Sequence, residues 1–366
     1  MNIQLKGNEQ LTELLNEWYL QIRARNRENS IRLKKEIEQQ FHNLTGDQNL
    51  LFYYSLLDFR FNYLLNNLNI SKKSFDKIEA FQTPPDSDDF LAYYYHFFKA
   101  IHSKSVGLYN LAEEHYNEAE RLLIYIPDEL EKAEFYYNLA VFHYHIYQSL
   151  LANKYVTIAK DIFLKNTDCE IKIAYCDNLS GLACTHLKEY KLAEEYFISA
   201  IDQFSKFGND RDILIGRQNI GFMYAEQKQS VLAIRYLSEV NEKMVDNYKA
   251  LIVEAKQRMN LNETDIALEL IEKGLEISNK LELTEYQYRF NITKELCTDN
   301  PTEHLEKEIL AGMDYFKSEN LWEYVQEYSE LLAVKFHAEK KFEKASMYFY
   351  LSYEAKEQVF EKEALK

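Results

Sequence analysis

Small residues recur along this chain at intervals of about 40 residues. Six segments share one pattern: an alanine, an aromatic or aliphatic residue four positions later, and usually a small residue three positions after that. The alanines are Ala112, Ala152, Ala193, Ala233, Ala267 and Ala345. Twelve residues before each stands another small residue, and these are Ala100, Ala140, Gly181, Gly221, Ala255 and Ala333. A fixed period of this length indicates stacked helix-turn-helix units of the tetratricopeptide type, in which small residues let paired helices cross closely.

The pattern predicts about seven repeats. The gap between Ala267 and Ala345 spans roughly two periods, so we expect one degenerate repeat around residues 285–315. The chain has only 9 Gly and 4 Pro in 366 residues, which favours helices joined by short loops over a sheet with many turns. An irregular helical bundle with coincidental alanines is the alternative.

Three amphipathic segments precede the repeats. The first places Leu11, Leu15 and Trp18 on one face, the second is expected to be capped by Asn29 or Ser30, and the third begins near Asp47. The apolar pattern fades between residues 68 and 89. We therefore predict an all-α chain with a three-helix bundle at 1–67, a linker at 68–89 and a repeat domain at 90–366, forming a right-handed superhelix with a peptide-binding groove.

Charge and cysteine usage exclude several classes of protein. The formal net charge of −16 disfavours direct nucleic-acid binding, and no apolar run is long enough for a membrane span. The N-terminus lacks a signal-peptide pattern, and the four cysteines show no pairing or metal-ligand spacing, so we expect reduced thiols in a cytoplasmic protein without a metal. His143 and His145 are two residues apart and therefore make a poor metal pair.

Two polar features near the N-terminus have more than one interpretation. Gln48 fits a capping box with Thr45, or follows Asp47 as the N-cap, but its carboxamide could also orient a water molecule towards a phosphoryl group. A basic cluster is expected to form a solvated face, with an acidic partner as the alternative. Its members are Arg23, Arg25, Arg27, Arg32, Lys34 and Lys35.

Several segments resemble the Rap proteins of Bacillus-type bacteria, which belong to a larger group of peptide-regulated quorum-sensing proteins. The segments are NEWYLQIR (16–23), DQNLLFYYSLLDFR (47–60), LAYYYHFFKA (91–100), LEKAEFYYNLA (130–140), QNIGFMY (218–224) and KFEKASMYF (341–349). The resemblance extends over essentially the whole chain. It implies a regulator that binds a response regulator through the bundle and linker and is inhibited by a short re-imported peptide bound in the repeat groove.

The resemblance also implies roles for individual residues. The family's catalytic glutamine falls on Gln48. Its target-binding positions fall on Asp47, Leu51, Phe59, Leu91 and Phe97, and its groove asparagine falls on Asn219, with Asn138 as a weaker second peptide-binding position. No cofactor is implied, because the Mg²⁺ would belong to the receiver-domain partner. A monomer and a homodimer both remain open.

This chain departs from the family pattern at both sites. Thr45, Gly46 and Asn49 replace acidic residues around the glutamine, and Ala183 and His186 stand where the family commonly has Asn and Asp. His186 could contribute pH sensitivity, or could be a surface residue in a turn. Three functions follow as hypotheses: a peptide-inhibited aspartyl-phosphate phosphatase, a non-enzymatic regulator that sequesters a transcription factor such as a conjugation repressor, and a generic peptide-binding scaffold.

Overall fold

The computed structural model describes residues 9–40, 47–81 and 89–363. Within these ranges every regular element is helical, so the all-α prediction is confirmed. The helices are α1 (Glu9–Arg23), α2 (Arg27–Gln39), α3 (Gln48–Asn66), α4 (Asp76–Glu79), α5 (Asp89–Ser105), α6 (Tyr109–Leu122), α7 (Glu129–His145), α8 (Ser149–Leu164), α9 (Glu170–His186), α10 (Tyr190–Lys206), α11 (Asp210–Glu226), α12 (Ser230–Lys243), α13 (Tyr248–Asn260), α14 (Thr264–Lys280), α15 (Thr284–Leu296), α16 (Thr302–Ser318), α17 (Trp322–Ala338) and α18 (Phe342–Glu363). Of the described helices, none combines the length and the apolar character that crossing a membrane requires.

The N-terminal helices α1 to α3 pack around large aromatic side chains. Trp18 is fully buried and donates from its indole nitrogen to the carbonyl oxygen of Ser30 at 3.0 Å, which joins α1 to α2. The Tyr53 hydroxyl donates to Asn16 Oδ1 at 3.0 Å and joins α3 to α1. The predicted cap of α2 is wrong: Asn26 is the N-cap and accepts from the amide of Asn29, because the helix begins three residues earlier than the apolar pattern indicates.

The segment after α3 carries short helical turns although its apolar pattern fades. Turns of 3-10 helix at Asn67–Asn69 and Lys72–Phe75 lead into α4. Phe75 is fully buried and packs edge-on against Phe59 of α3, with ring centroids 5.1 Å apart. One anchoring aromatic therefore fixes a segment that has too few apolar residues to predict a helix.

The helices α5 and α6 pack against each other, as do the consecutive helices from α10 to α18, and the small residues lie where the repeat pattern requires them. All six alanines of the second helices are buried, and so are their six small counterparts. A Cβ atom added at Gly181 would lie 2.6 Å from the Phe197 ring, so this crossing needs glycine. In the region 285–315 of the predicted degenerate repeat, α15 and α16 form a further pair.

The turns inside the repeats explain how the chain manages with few glycines. Six of these turns contain a residue with a positive φ, and these residues are Gly107, Tyr147, Lys188, Lys228, Asn262 and Lys340. The next amide then donates back to a carbonyl five residues earlier, as from Gln229 to Tyr224 at 2.9 Å, which closes the helix end. A left-handed backbone conformation costs a non-glycine residue about 1–2 kcal/mol, and the packing of the surrounding helices offsets this free energy.

The described chain separates into two compact units. The first contains the N-terminal helices through Asn138 together with Ile158–Lys172, and the second contains Leu139–Thr157 and the chain from Ile173 through α18. A separate domain at 1–67 with a linker at 68–89 stays a prediction.

The positive φ at Lys228 predicts a stabilising substitution. Lys228→Gly should raise the melting temperature, because glycine removes the strain of the left-handed backbone. The expected gain in the free energy of unfolding is at most ~1 kcal/mol. Lys307→Gly, an equally exposed lysine inside α16, is the matched control and should lower stability by about 1 kcal/mol. Thermal unfolding followed by circular dichroism measures both, and a loss of stability in Lys228→Gly would contradict this account of the turns.

Candidate functional site

The start of α3 presents Gln48 to solvent. Asp47 is the N-cap, and its Oδ1 accepts from the amides of Asn49 at 2.9 Å and Leu50 at 3.2 Å. Gln48 is the first residue of the helix and is exposed. The Asp47 alternative for the cap is therefore the one observed, whereas Thr45 and Gly46 lie outside the described residues. The capping leaves the Gln48 carboxamide available to an approaching molecule.

A groove of about 950 Å³ lies beside this helix end, between α2, α3 and the short turns that follow. Leu51, Tyr54 and Phe59 line its apolar part. Three lysines, Lys34, Lys73 and Lys77, and two acids, Glu38 and Asp58, line it as well, and Lys34 is paired with Asp58 at 2.5 Å. The groove thus combines a partly apolar lining with side chains of both charges.

Three predicted target-binding residues are not on the surface in this structure. Leu91 and Phe97 are completely buried in α5, where Phe97 packs against Tyr93 and Phe135. Phe59 is 3% exposed beneath Phe75 and His102. Aromatic packing of α5 and the short turns covers Phe59, Leu91 and Phe97 in this arrangement, and their predicted target contacts stay predictions. Of the predicted docking hydrophobes, Leu51 alone is partly exposed.

Buried charges connect the N-terminal helices to the N-terminal part of α7. The Tyr19 hydroxyl donates to both carboxylate oxygens of Glu131, at 2.8 and 2.9 Å, and Arg23 pairs with Glu131 at 3.0 Å and with Asp128 at 2.7 Å. Glu131 is fully buried, and this burial raises the pKa of its carboxyl group although Arg23 and the Tyr19 bond act to lower it. Arg23, a member of the basic cluster predicted from the sequence, is therefore buried in ion pairs and does not lie on a solvated face.

A second carboxylate extends this contact. Arg60 of α3 donates to Glu134 at 3.0 Å, and Arg25 lies 3.9 Å from the same oxygen. Burial acts to raise the pKa of Glu134, but Arg25 and Arg60 together hold it below its ordinary value, so the carboxylate stays ionised. We call Asp128, Glu131 and Glu134 with Tyr19, Arg23, Arg25 and Arg60 the ionic seam.

Asn138 lies in the first unit, one turn after Glu134. The side-chain nitrogen Nδ2 of Asn138 donates to the backbone carbonyl oxygen of Glu134 at 2.8 Å. The backbone carbonyl oxygen of Asn138 accepts from the Tyr116 hydroxyl at 3.1 Å. The side chain is 5% exposed. Asn138 therefore continues the hydrogen bonding around the seam, and its predicted peptide contact stays a prediction.

Asn219 lies in the second unit and is bonded to another asparagine. Its amide nitrogen donates to Asn178 Oδ1 at 3.0 Å, which joins α11 to α9. An amide side chain has two donors and two acceptor sites, so this bond leaves the oxygen of Asn219 and the nitrogen of Asn178 able to bind further groups. Two facing amides of this kind suit a peptide backbone.

His186 is held in an aromatic sandwich. Its ring stacks on Tyr144 and Tyr147 with centroid distances of 4.6 and 4.7 Å, and Phe222 contacts it edge-on. Burial lowers the pKa of His186 to about 4, so the imidazole is neutral at neutral pH. His186 is partly exposed at the last residue of α9, and any pH response of this group would lie well below neutrality.

A cavity of about 600 Å³ lies near His186 in the second unit. It is lined by Tyr147, Phe222, Lys256, Arg289 and Tyr324, together with acidic residues such as Glu327. Lys256 pairs with Glu327 at 3.0 Å, and the Arg289 guanidinium lies 4.8 Å from the Tyr324 ring centroid. The cavity therefore offers both charged and aromatic contacts to a bound chain.

Some residues of these sites were not found from the sequence. Asp128, Glu131 and Glu134 stand three residues apart and therefore share one helix face, a signal that points to a charged partner but does not name it. Asn178 is 40 residues after Asn138 and 41 before Asn219, close to the repeat period. That spacing would have identified it as a third amide on the first helices.

Comparison with known proteins gives consistent matches. A family model described as the N-terminal part of response regulator aspartate phosphatase H matches residues 5–66. Response regulator aspartate phosphatase I of Bacillus subtilis (strain 168) is 27% identical over 371 residues, covering 95% of this chain and 91% of that protein.

Two solved structures share the fold. A Rap protein complexed with competence and sporulation factor has a TM-score of 0.80 at 24% identity and covers 97% of this chain and 100% of its own. The Rap conjugation gene regulator of plasmid pLS20, solved with the Phr* peptide, has a TM-score of 0.68 at 22% identity and covers 97% of this chain and 98% of its own. Taken with the sequence matches, these findings support a likeness to the Rap family over nearly the whole chain.

Proposed function

We propose that this protein is a peptide-controlled phosphatase of a response regulator. The observation that carries the proposal is the exposed Gln48 at the start of α3, beside a groove with an apolar and charged lining. A carboxamide oxygen can accept a hydrogen bond from water while the carboxamide nitrogen donates one to a phosphoryl oxygen, which orients the water for in-line attack. The Mg²⁺ that neutralises the phosphoryl group would belong to the receiver domain.

The groove beside Gln48 is the proposed docking surface. Receiver domains carry a cluster of carboxylates around their phosphorylation site, and the lysines Lys73 and Lys77 of the groove offer charges complementary to them, whereas Lys34 is paired with Asp58. Leu51 and Tyr54 supply apolar contact area. Asp47 takes part through the cap that orients the first turn of α3.

Burial of Leu91 and Phe97 supports a two-state regulator. In the arrangement described here α5 hides both residues and the ionic seam holds the N-terminal helices in place. We propose that target binding uses a second state in which these residues are uncovered, and that a signalling peptide binds only one of the two states. Such differential affinity is sufficient to shift the population.

The facing amides of Asn178 and Asn219 are the proposed core of the peptide site. A peptide bond presents one donor and one acceptor, and the two asparagines retain one of each. Neutral His186 adds an aromatic surface rather than a charge. A relative solved with a Phr* peptide and another solved with competence and sporulation factor make a short peptide the favoured ligand class.

A sequestering regulator is the second candidate. One carboxylate oxygen of Asp47 already accepts from two helix amides, and Asn49 supplies no charge beside Gln48. With no free charge beside it, Gln48 is better suited to a binding contact than to catalysis. This fits a regulator that captures a transcription factor or, like the plasmid relative, controls conjugation genes.

Removing the Gln48 carboxamide should stop phosphate release. Gln48→Ala is expected to slow dephosphorylation of a phosphorylated receiver domain by about 100-fold, the lower range for loss of a positioned hydrogen-bonding group. Gln39→Ala, an exposed glutamine at the end of α2, is the matched control and should keep the wild-type rate. Equal rates for wild type and Gln48→Ala would remove Gln48 from the mechanism. A wild type that co-elutes with the target and leaves its phosphate intact would favour sequestration.

Removing the Asn219 amide should weaken peptide binding. The probe is the C-terminal five or six residues of the product of a small open reading frame beside the gene, titrated calorimetrically into the full-length protein. Asn219→Ala should raise the dissociation constant about 10- to 100-fold, because bonds to a buried amide are lost and its partner Asn178 is left unsatisfied. Asn279→Ala, an exposed asparagine of α14, serves as control. Unchanged affinity in Asn219→Ala would contradict the assignment.

A further inference from the structure

Two histidines face each other across the contact between α5 and α6. The Nδ1 atoms of His96 on α5 and His115 on α6 are 2.9 Å apart, and the centroids of the two rings are 5.0 Å apart. Both side chains are partly exposed, so an ion in solution can reach them. Sequence spacing gives no sign of this pair, because the two residues are 19 positions apart and belong to different helices.

The two imidazoles are in the protonation state that binds metal ions. Nitrogens at this distance share one hydrogen, with one Nδ1 donating and the other accepting, so at least one ring is neutral. Burial lowers the pKa of His96, and burial together with the nearby His96 lowers the pKa of His115 to about 4. Both rings are therefore neutral at neutral pH, and a neutral imidazole nitrogen is a common metal ligand.

The distance between the two nitrogens matches the ligand spacing of a square-planar ion. Metal–imidazole bonds are about 2.0–2.1 Å long, so two nitrogens that meet at a 90° angle are about 2.9 Å apart, whereas a tetrahedral angle requires about 3.4 Å. Each ring has to turn its Nδ1 from its neighbour towards the ion, and rotation about χ2 of histidine lies in a broad torsional well. Square-planar and tetragonal sites with nitrogen and oxygen ligands are typical of Cu²⁺ and Ni²⁺.

The charges around the pair are compatible with a bound cation. They come from two ion pairs, Glu118 with Arg121 at 3.0 Å and Glu79 with Lys99. Each positive charge near the rings is thus offset by a carboxylate. Of the described histidines, cysteines and acids, no three or more are grouped to hold an ion. The protein therefore supplies two nitrogen ligands here, and water fills the other coordination positions.

We propose that His96 and His115 form a two-nitrogen binding site for a divalent transition-metal ion of the Cu²⁺ and Ni²⁺ class, and that the bound ion clamps α5 to α6. The alternative is a hydrogen-bonded pair that only joins the two helices, and it predicts no metal affinity at these residues. The proposal is independent of the phosphatase assignment, because neither histidine takes part in the Gln48 chemistry or in the asparagine pair.

Calorimetric titration of the full-length protein with NiCl₂ at neutral pH tests the site. Wild type should bind the ion, and His96→Gln and His115→Gln should each raise the dissociation constant at least about 100-fold, because the second nitrogen is held in place and adds its bond at a high effective concentration. The double variant should bind no more weakly than either single variant, since the two ligands act as a unit. His337→Gln, which removes an exposed histidine of α17, is the matched control and should keep the wild-type affinity.

A wild type that binds no Ni²⁺, or that binds it no more tightly than His96→Gln does, overturns the proposal. An affinity that His337→Gln lowers as much as His115→Gln would point to adventitious binding by surface histidines and overturns it as well. Far-ultraviolet circular dichroism verifies that each variant is folded.

Electron paramagnetic resonance of the protein loaded with one equivalent of Cu²⁺ tests the ligand set. The wild-type spectrum should show coupling to two imidazole nitrogens, and either single variant should lose this two-nitrogen signature. Cu²⁺ should also raise the melting temperature of wild type but not of the double variant, and a chelator should reverse the rise, because the clamped pair exists only in the folded chain. The same nitrogen coupling in wild type and in the double variant would contradict the assignment.

Discussion

The ionic seam is the interaction on which the arrangement of the first unit depends. Asp128 directly precedes α7, Glu131 and Glu134 lie on α7, and arginines from the N-terminal helices pair with all three; Glu131 and Glu134 are buried. Removing one partner from a buried ion pair typically costs about 3–5 kcal/mol, whereas an apolar replacement of the whole pair can be neutral. The seam therefore fixes where the N-terminal helices dock more than it adds to overall stability.

This arrangement connects packing to regulation. With the seam formed, Phe97 and Leu91 are core residues, and the groove beside Gln48 is left as a partly exposed surface. In the proposed second state the seam would be open and several buried charges would be separated from their partners, so the two proposed states would differ by a substantial local free energy. A peptide that bound one of them would then have a bistable element on which to act. The ionic seam suits a switch between two states, because its ion pairs fix one docking geometry without a large apolar contribution to stability.

The sequence predicted most of the fold because the repeat period and the small residues are local features. Ala193 and Gly181 identified a helix crossing, and the structure has it. The site was predicted less well. Phe59, Leu91 and Phe97 are apolar residues on helices, and no local pattern distinguishes a docking surface from a core position when the covering element is distant in the chain. Arg23 lies 108 residues from Glu131, so its burial depends on a tertiary contact that composition does not reveal.

Hydrogen exchange measured by mass spectrometry tests the role of the seam most directly. Glu134→Gln keeps the size of the side chain and removes its charge, and it should accelerate exchange in α1 and α3 by about 100-fold while α11 to α14 exchange as in wild type. Glu254→Gln removes an equally buried, arginine-paired carboxylate of the second unit and should leave α1 and α3 unchanged. Unchanged protection of α1 and α3 in Glu134→Gln would contradict the account.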